Sequence, residues 1–138
     1  MGIDWGGKRI GVAVGDRTSG LARACPALAA SGKLTVDATA LDRLARREEV
    51  DALVVGLPLN PGGDEHMARI TEQLADRLRI LGWRVDLVDE SLTSEESHAA
   101  MREADLTAAE RRRRVDGEAA CRILERWFSQ GAGSDEPV

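Results

Sequence analysis

Gly2-Ile3-Asp4-Trp5-Gly6-Gly7-Lys8-Arg9-Ile10-Gly11-Val12-Ala13-Val14-Gly15 opens the chain and decides the fold. Residues 9–15 read as a strand, and the Gly6-Gly7 pair reads as a tight hairpin turn leading back to a short strand around Ile3 to Trp5. The chain therefore begins antiparallel. Within that first strand stands an acid, Asp4. A carboxylate near a sheet core costs roughly several kcal/mol unless it is paired, neutralised or bound to a metal.

Working outward, a third strand is expected near Leu21 to Leu28, where Pro26 implies an edge position or a bulge. Val36, Ala40, Leu41, Leu44 and Ala45 then fall at helical spacing. Asp51 to Gly56 is a short apolar run of the kind that forms a buried parallel strand. After the loop Leu57 to Gly63, positions Met67, Ile70, Leu74, Leu78 and Leu81 trace one face of a long helix closed by Gly82. Arg84 to Asp89 is a further strand. Thr93-Ser94-Glu95-Glu96 has the capping-box pattern of a helix running to about Ala104. A last helix is expected from near Asp116 to about Ser129. Three antiparallel strands followed by alternating helices and parallel strands define an α/β chain with one five-stranded mixed sheet. Length fits one domain, residues 1–130, with a Gly/Ser/Asp/Pro tail over 131–138 expected to be disordered.

The 138 residues carry 19 Lys and Arg against 24 Asp and Glu, a net charge of -5 that argues against indiscriminate binding to phosphate. It leaves room for a local basic surface: Lys8 and Arg9 follow Asp4, and Arg111 to Arg114 directly precede Asp116. No run of about 18 apolar residues and no leader pattern occurs, so a cytoplasmic protein with no membrane partner is expected. Cys25 and Cys121 lack CxxC spacing and read as small buried residues. His66 and His98 read as surface residues.

Three acids sit in apolar or structured contexts: Asp4, Glu90 after the apolar strand Val85 to Val88, and Asp116 at the start of the last helix. A step of about 100° per residue places Asp116 on the same side as Ala119, Ala120, Ile123, Leu124 and Trp127, facing the sheet. In the first turn it would also gain from the helix dipole. Ends of parallel strands form the ligand crevice of open sheets, which is where Glu90 falls. Carboxylates brought together repel unless a cation intervenes, and oxygen-only ligands favour Mg²⁺ or Mn²⁺ over zinc. The plainer reading makes Asp4 a turn residue and Asp116 an N-cap.

Residues 2–14, Val54-Val55-Gly56-Leu57-Pro58-Leu59-Asn60, Asp89-Glu90-Ser91-Leu92-Thr93-Ser94 and Val115-Asp116-Gly117-Glu118-Ala119-Ala120 together resemble the YqgF/RuvX family. The likeness spans almost the whole chain, in order. It implies an RNase H-like fold and a nuclease hydrolysing phosphodiester bonds, described either as a pre-16S rRNA nuclease in ribosome maturation or as a Holliday junction resolvase. It further implies that Asp4, Glu90 and Asp116 are the catalytic, metal-holding acids with Mg²⁺ or Mn²⁺ as cofactor. Structured RNA or branched DNA, and the assembling small ribosomal subunit, would be the partners of a monomer or weak homodimer. Substrate contacts are expected from Lys8, Arg9, Asn60, Thr93, Arg113 and Arg114. The chain departs from the family at Ser91, where an arginine usually follows the acid, and at Trp5 and Gly7. Trp5 is expected to pack rather than stack on a base. The short first strand is expected to loosen Asp4.

Two other classes compete. An Asp followed by a glycine hairpin also opens actin-like and sugar-kinase-like ATP sites, but those need two related lobes. A non-catalytic RNA-binding module in ribosome assembly would bind RNA without the acids.

Overall fold

The computed structural model describes residues 1–5, 8–57, 65–89 and 108–131. Its strands are β1 (Gly2–Trp5), β2 (Arg9–Asp16), β3 (Leu21–Ala29), β4 (Leu53–Leu57) and β5 (Val85–Asp89). Its helices are α1 (Leu34–Arg47), α2 (Glu65–Ile80) and α3 (Ala108–Ser129). The five strands form one sheet in the order β3-β2-β1-β4-β5. β1 pairs antiparallel with β2 and parallel with β4; β2–β3 is antiparallel and β4–β5 parallel. The expected mixed sheet is therefore present, and the strand carrying Asp4 is its middle one. The Val54 amide donates to the Met1 carbonyl at 2.8 Å, extending the pairing of β1 with β4.

Side chains alternate across a strand, so each face collects every second residue. Ile3, Ile10, Val12, Leu53 and Val55 turn to one face and are buried with Leu41, Leu74 and Leu78 of α1 and α2. Val54 and Val88 turn to the other, against Ile123, Leu124 and Trp127 of α3. Small residues let α3 come very close to the sheet. A Cβ on Gly2 would lie 2.6 Å from the Ala120 carbonyl oxygen and 3.0 Å from Leu124 Cβ, and one on Gly117 would lie 2.7 Å from Ala24 Cβ. Gly15, further along β2, meets Leu124 and Phe128. Because β2 runs antiparallel to β1, Gly15 lies toward the start of β1. α3 crosses the strands: Gly117 meets Ala24 on β3, Ala120 meets Gly2 on β1 and Trp127 reaches Asp86 on β5, three residues that the register sets in one row across the sheet.

Pro26 falls where both of its implications hold: β3 is an edge strand, and its register with β2 shifts between Ile10↔Leu28 and Val12↔Cys25, one extra residue on the β3 side. The buried face of α1 comprises Asp37, Ala38, Leu41, Leu44 and Ala45. Val36, read as part of that face, is 50% exposed. α2 closes as expected: Gly82 has φ +105°, the Trp83 amide donates to the Leu78 carbonyl and the Gly82 amide to the Arg79 carbonyl. α1 ends the same way with Glu49 at φ 56°, a position glycine would occupy without strain.

One expectation is overturned. α3 begins at Ala108, so Asp116 stands in its third turn rather than its first. The support expected from the helix dipole goes with it, since that effect fades beyond the first turn. Arg111 to Arg114 are helical residues of the first two turns. Arginine, alanine and glutamate are good helix formers, and Thr107-Ala108-Ala109-Glu110 has a capping-box pattern. The turn at Gly6-Gly7, most of the loop 57–63, the helix expected from Thr93 and the tail 132–138 lie outside the described residues.

The cysteines sit on opposite faces of the sheet: Cys25 packs against the α1–α2 side, and Cys121 is buried with Ala13 and Ala120 under α3. Both are free thiols, as expected. Burial pushes the Cys25 thiol up, and pushes that of Cys121 up to about 12 from 9.0. Folded protein then holds the Cys121 proton between pH 9 and about 12 while unfolded chain has lost it, so stability falls as pH rises through that window. Urea melts from pH 8 upward should show the decline, and Cys121→Ala should flatten it. Gly2→Ala drives a Cβ into the Ala120 carbonyl; overpacking of this kind costs about 1–3 kcal/mol, readable as a lower urea midpoint.

Candidate active site

Asp4 is the third residue of β1, and alternation from Gly2 turns its side chain to the α3 face. Its partner across β2 is Gly11. On the other side Ile3 pairs with Val55, so the same register sets Asp4 beside Gly56, which pairs with Val88. A glycine thus flanks Asp4 on each neighbouring strand. Asp4 itself is half-buried.

α3 brings position 116 toward the same place. Ala120 stands over Gly2. Residue 116 is one turn N-terminal of Ala120, about 6 Å along the helix axis, and Asp4 is two residues beyond Gly2, about 7 Å along β1. Gly117, next to residue 116, meets Ala24 on β3. The backbone of 116 therefore lies within one turn of the part of α3 seated on β1.

β5 ends at Asp89, directly before Glu90, which lies outside the described residues. Val88 is buried against α3 and pairs with Gly56, so β5 delivers its last residue, Asp89, at the end of the sheet where β1 also ends. Two contacts from α3 fix that delivery. The Trp127 indole N–H donates to Asp86 Oδ2 at 2.8 Å, with the Arg84 guanidinium over its ring, and Arg126 donates to the Asp89 carbonyl. The helix carrying Asp116 grips the strand preceding Glu90 and sits on the strand carrying Asp4.

Of the expected substrate contacts, Arg9 opens β2 on the α3 face, since Ile10 faces α1 and α2. It is two residues from Gly11 and so at the Asp4 end. Lys8 is exposed, its carbonyl accepting from the Ala30 amide at 3.0 Å. Arg113 and Arg114 lie on α3, three and two residues before Asp116. Asn60, Thr93 and Ser91 lie outside the described residues. His66 is exposed on α2. Trp5 packs on the α1–α2 face, opposite Asp4, and its indole N–H donates to buried Asp37; packing is its role. Among the described residues no three His, Cys, Asp or Glu side chains form a metal cluster, and no helix is long and apolar enough to cross a membrane. The flanking glycines and the grips by Arg126 and Asp37 escaped the sequence reading. The glycines were findable by pairing Asp4 with Gly11 and Gly56 once the hairpin and crossover were laid out.

A five-stranded mixed sheet with helices on both faces and an acid on its middle strand is the RNase H-like class. The chain belongs to the RuvX family: the family model, described as Holliday junction resolvase, matches residues 1–130. It is 40% identical over 134 residues to a protein of Anaeromyxobacter dehalogenans (strain 2CP-C) named "Putative pre-16S rRNA nuclease", covering 96% of this chain and 97% of that one. A Salmonella arizonae protein of the same name is 37% identical over 133 residues, 95% and 96% of the two chains. Among solved structures, one described as "T. thermophilus RuvC in complex with Holliday junction substrate" superposes with a TM-score of 0.56 at 15% identity, over 99% of this chain and 97% of that chain. That likeness concerns the fold alone.

Proposed function

We propose that this chain is a metal-dependent nuclease that hydrolyses phosphodiester bonds in structured RNA, acting on the 5′ end of pre-16S rRNA during assembly of the small ribosomal subunit in the cytoplasm. The observation that carries the reading is Asp4: an acid on the middle strand, flanked by Gly11 and Gly56, under the helix that carries residue 116 and beside the end of β5, the strand that precedes Glu90 in sequence. RNA is favoured over branched DNA by the names of relatives about 40% identical along nearly their whole length.

Asp4, Glu90 and Asp116 would hold Mg²⁺ or Mn²⁺. The donors are all oxygens, which suits a hard cation. When bound, such a cation offsets phosphate charge and acidifies water. The chain's own part is to present three carboxylates from separate elements toward one place, where a cation would offset their mutual repulsion. Arg9, on the same face and edge, supplies a guanidinium for a phosphate; Lys8, Arg113, Arg114, Asn60 and Thr93 are further proposed contacts. An overall charge of -5 opposes promiscuous binding, so affinity rests on this local surface.

Cleavage of a 16S precursor leader fragment in Mn²⁺ tests the reading. Asp4→Asn should abolish cutting and weaken Mn²⁺ binding measured by calorimetry while the protein stays folded; cutting at the wild-type rate by this variant would remove the proposed mechanism. Arg9→Ala should instead raise KM with kcat largely kept, and lower the slope of log affinity against log salt by about 1. RNA binding that persists with no cleavage in any metal would favour the non-catalytic module.

A further inference from the structure

Asp37 is a buried carboxylate, 2% exposed, in the first turn of α1. Its Oδ2 accepts the Trp5 indole N–H at 3.1 Å and its Oδ1 accepts the Ser31 amide at 2.9 Å. Just before Ser31, the Ala30 amide donates to the Lys8 carbonyl at 3.0 Å. One carboxylate therefore ties together the last residue of β1, the connection after β3 and the start of α1.

β1 has four residues, and its ladder with β2 ends at Trp5↔Ile10. Asp4 stands one residue from that end, where strand pairing loosens most readily. Trp5 and Asp4 point to opposite faces of the same strand end. Fixing the indole on the α1–α2 face fixes the plane of the peptide between them, and with it the direction of the Asp4 side chain. A buried carboxylate is an expensive way merely to fill space, because it must be desolvated and then satisfied by donors. Both of its oxygens are satisfied here, one of them by the residue after Asp4.

We propose that Asp37 is a positioning residue: through Trp5 it pins the end of β1 and sets the direction in which Asp4 presents its carboxylate. This rests on the nuclease reading of Asp4. Asparagine at position 37 has a single acceptor oxygen, and its amide group would face one of the two N–H donors, so one of the bonds is lost. Trp5→Phe keeps an aromatic ring but deletes the donor together with part of the ring volume.

The test compares full-length wild type, Asp37→Asn, Trp5→Phe and, as the control for the reading beneath it, Asp4→Asn. Three quantities are measured below the melting temperature: Mn²⁺ affinity by calorimetry, kcat and KM on the leader fragment, and amide resonances of the metal-free protein. Asp37→Asn and Trp5→Phe should each bind Mn²⁺ about 10-fold more weakly and lose kcat with KM kept. The Asp4 and Gly11 amide signals should shift without metal, while those of Ile123 and Leu124 stay. Should Asp37→Asn fail to fold, Trp5→Phe decides alone. Wild-type Mn²⁺ affinity, kcat and Asp4 signal in these variants, with or without a lower melting temperature, overturns the positioning role provided Asp4→Asn is inactive, and leaves the nuclease reading standing. Asp4→Asn that binds and cuts like wild type overturns the nuclease reading, and this proposal with it.

Discussion

The close seating of α3 on the middle of the sheet is the constraint on which the rest depends. Gly2 lacks a side chain under the Ala120 carbonyl and Gly117 lacks one against Ala24, so the helix backbone rests almost on the strands. At that separation the helix cannot roll or slide without losing contact along Ala13, Val54, Ile123 and Leu124. Its axial position is thereby fixed against β1, and with it the position of residue 116. A larger residue at position 2 would lift the helix away from the strand that carries Asp4.

Polar anchors complete what close packing begins. The chain has three tryptophans, and each indole N–H reaches a different aspartate: Trp5 to Asp37, Trp83 to Asp42 and Trp127 to Asp86. Each ring contributes a large apolar body while its donor fixes orientation, a combination that places neighbouring backbone better than an aliphatic side chain does. Trp127 locks α3 to β5, Trp5 locks the end of β1 to α1, and Trp83, held also by Arg46 over its ring, locks the turn after α2 to α1. Two of the three therefore act beside segments that carry proposed catalytic acids. The end of the four-residue first strand is thus held by a side-chain bond as well as by the ladder.

Much of this was legible from sequence because it rests on local chemistry. Alternation in residues 9–15 and the glycine pair before them specify a hairpin, the apolar run at 51–56 specifies a buried parallel strand, and Pro26 announced the edge and bulge of β3. The face of α3 was read correctly because Ala119, Ala120, Ile123, Leu124 and Trp127 keep helical period. Its start was not, because Arg111 to Arg114 carry no apolar period, and helical propensity without burial gives a weak signal. Val36 misled for the complementary reason: it fits the period but lies at the margin of the covered face. The anchors were illegible because Trp5 and Asp37 are separated by 32 residues, and Arg126 and Asp89 by 37; such pairs exist only once the sheet has formed.

The central claim is that Asp4, Glu90 and Asp116, drawn from three separate elements, converge on one cation. Anomalous diffraction from crystals grown with Mn²⁺ tests it most directly. The account predicts a manganese peak in contact with the Asp4 carboxylate and bounded by Glu90 and Asp116. A peak held by other residues, or none near Asp4 at saturating Mn²⁺, would contradict it.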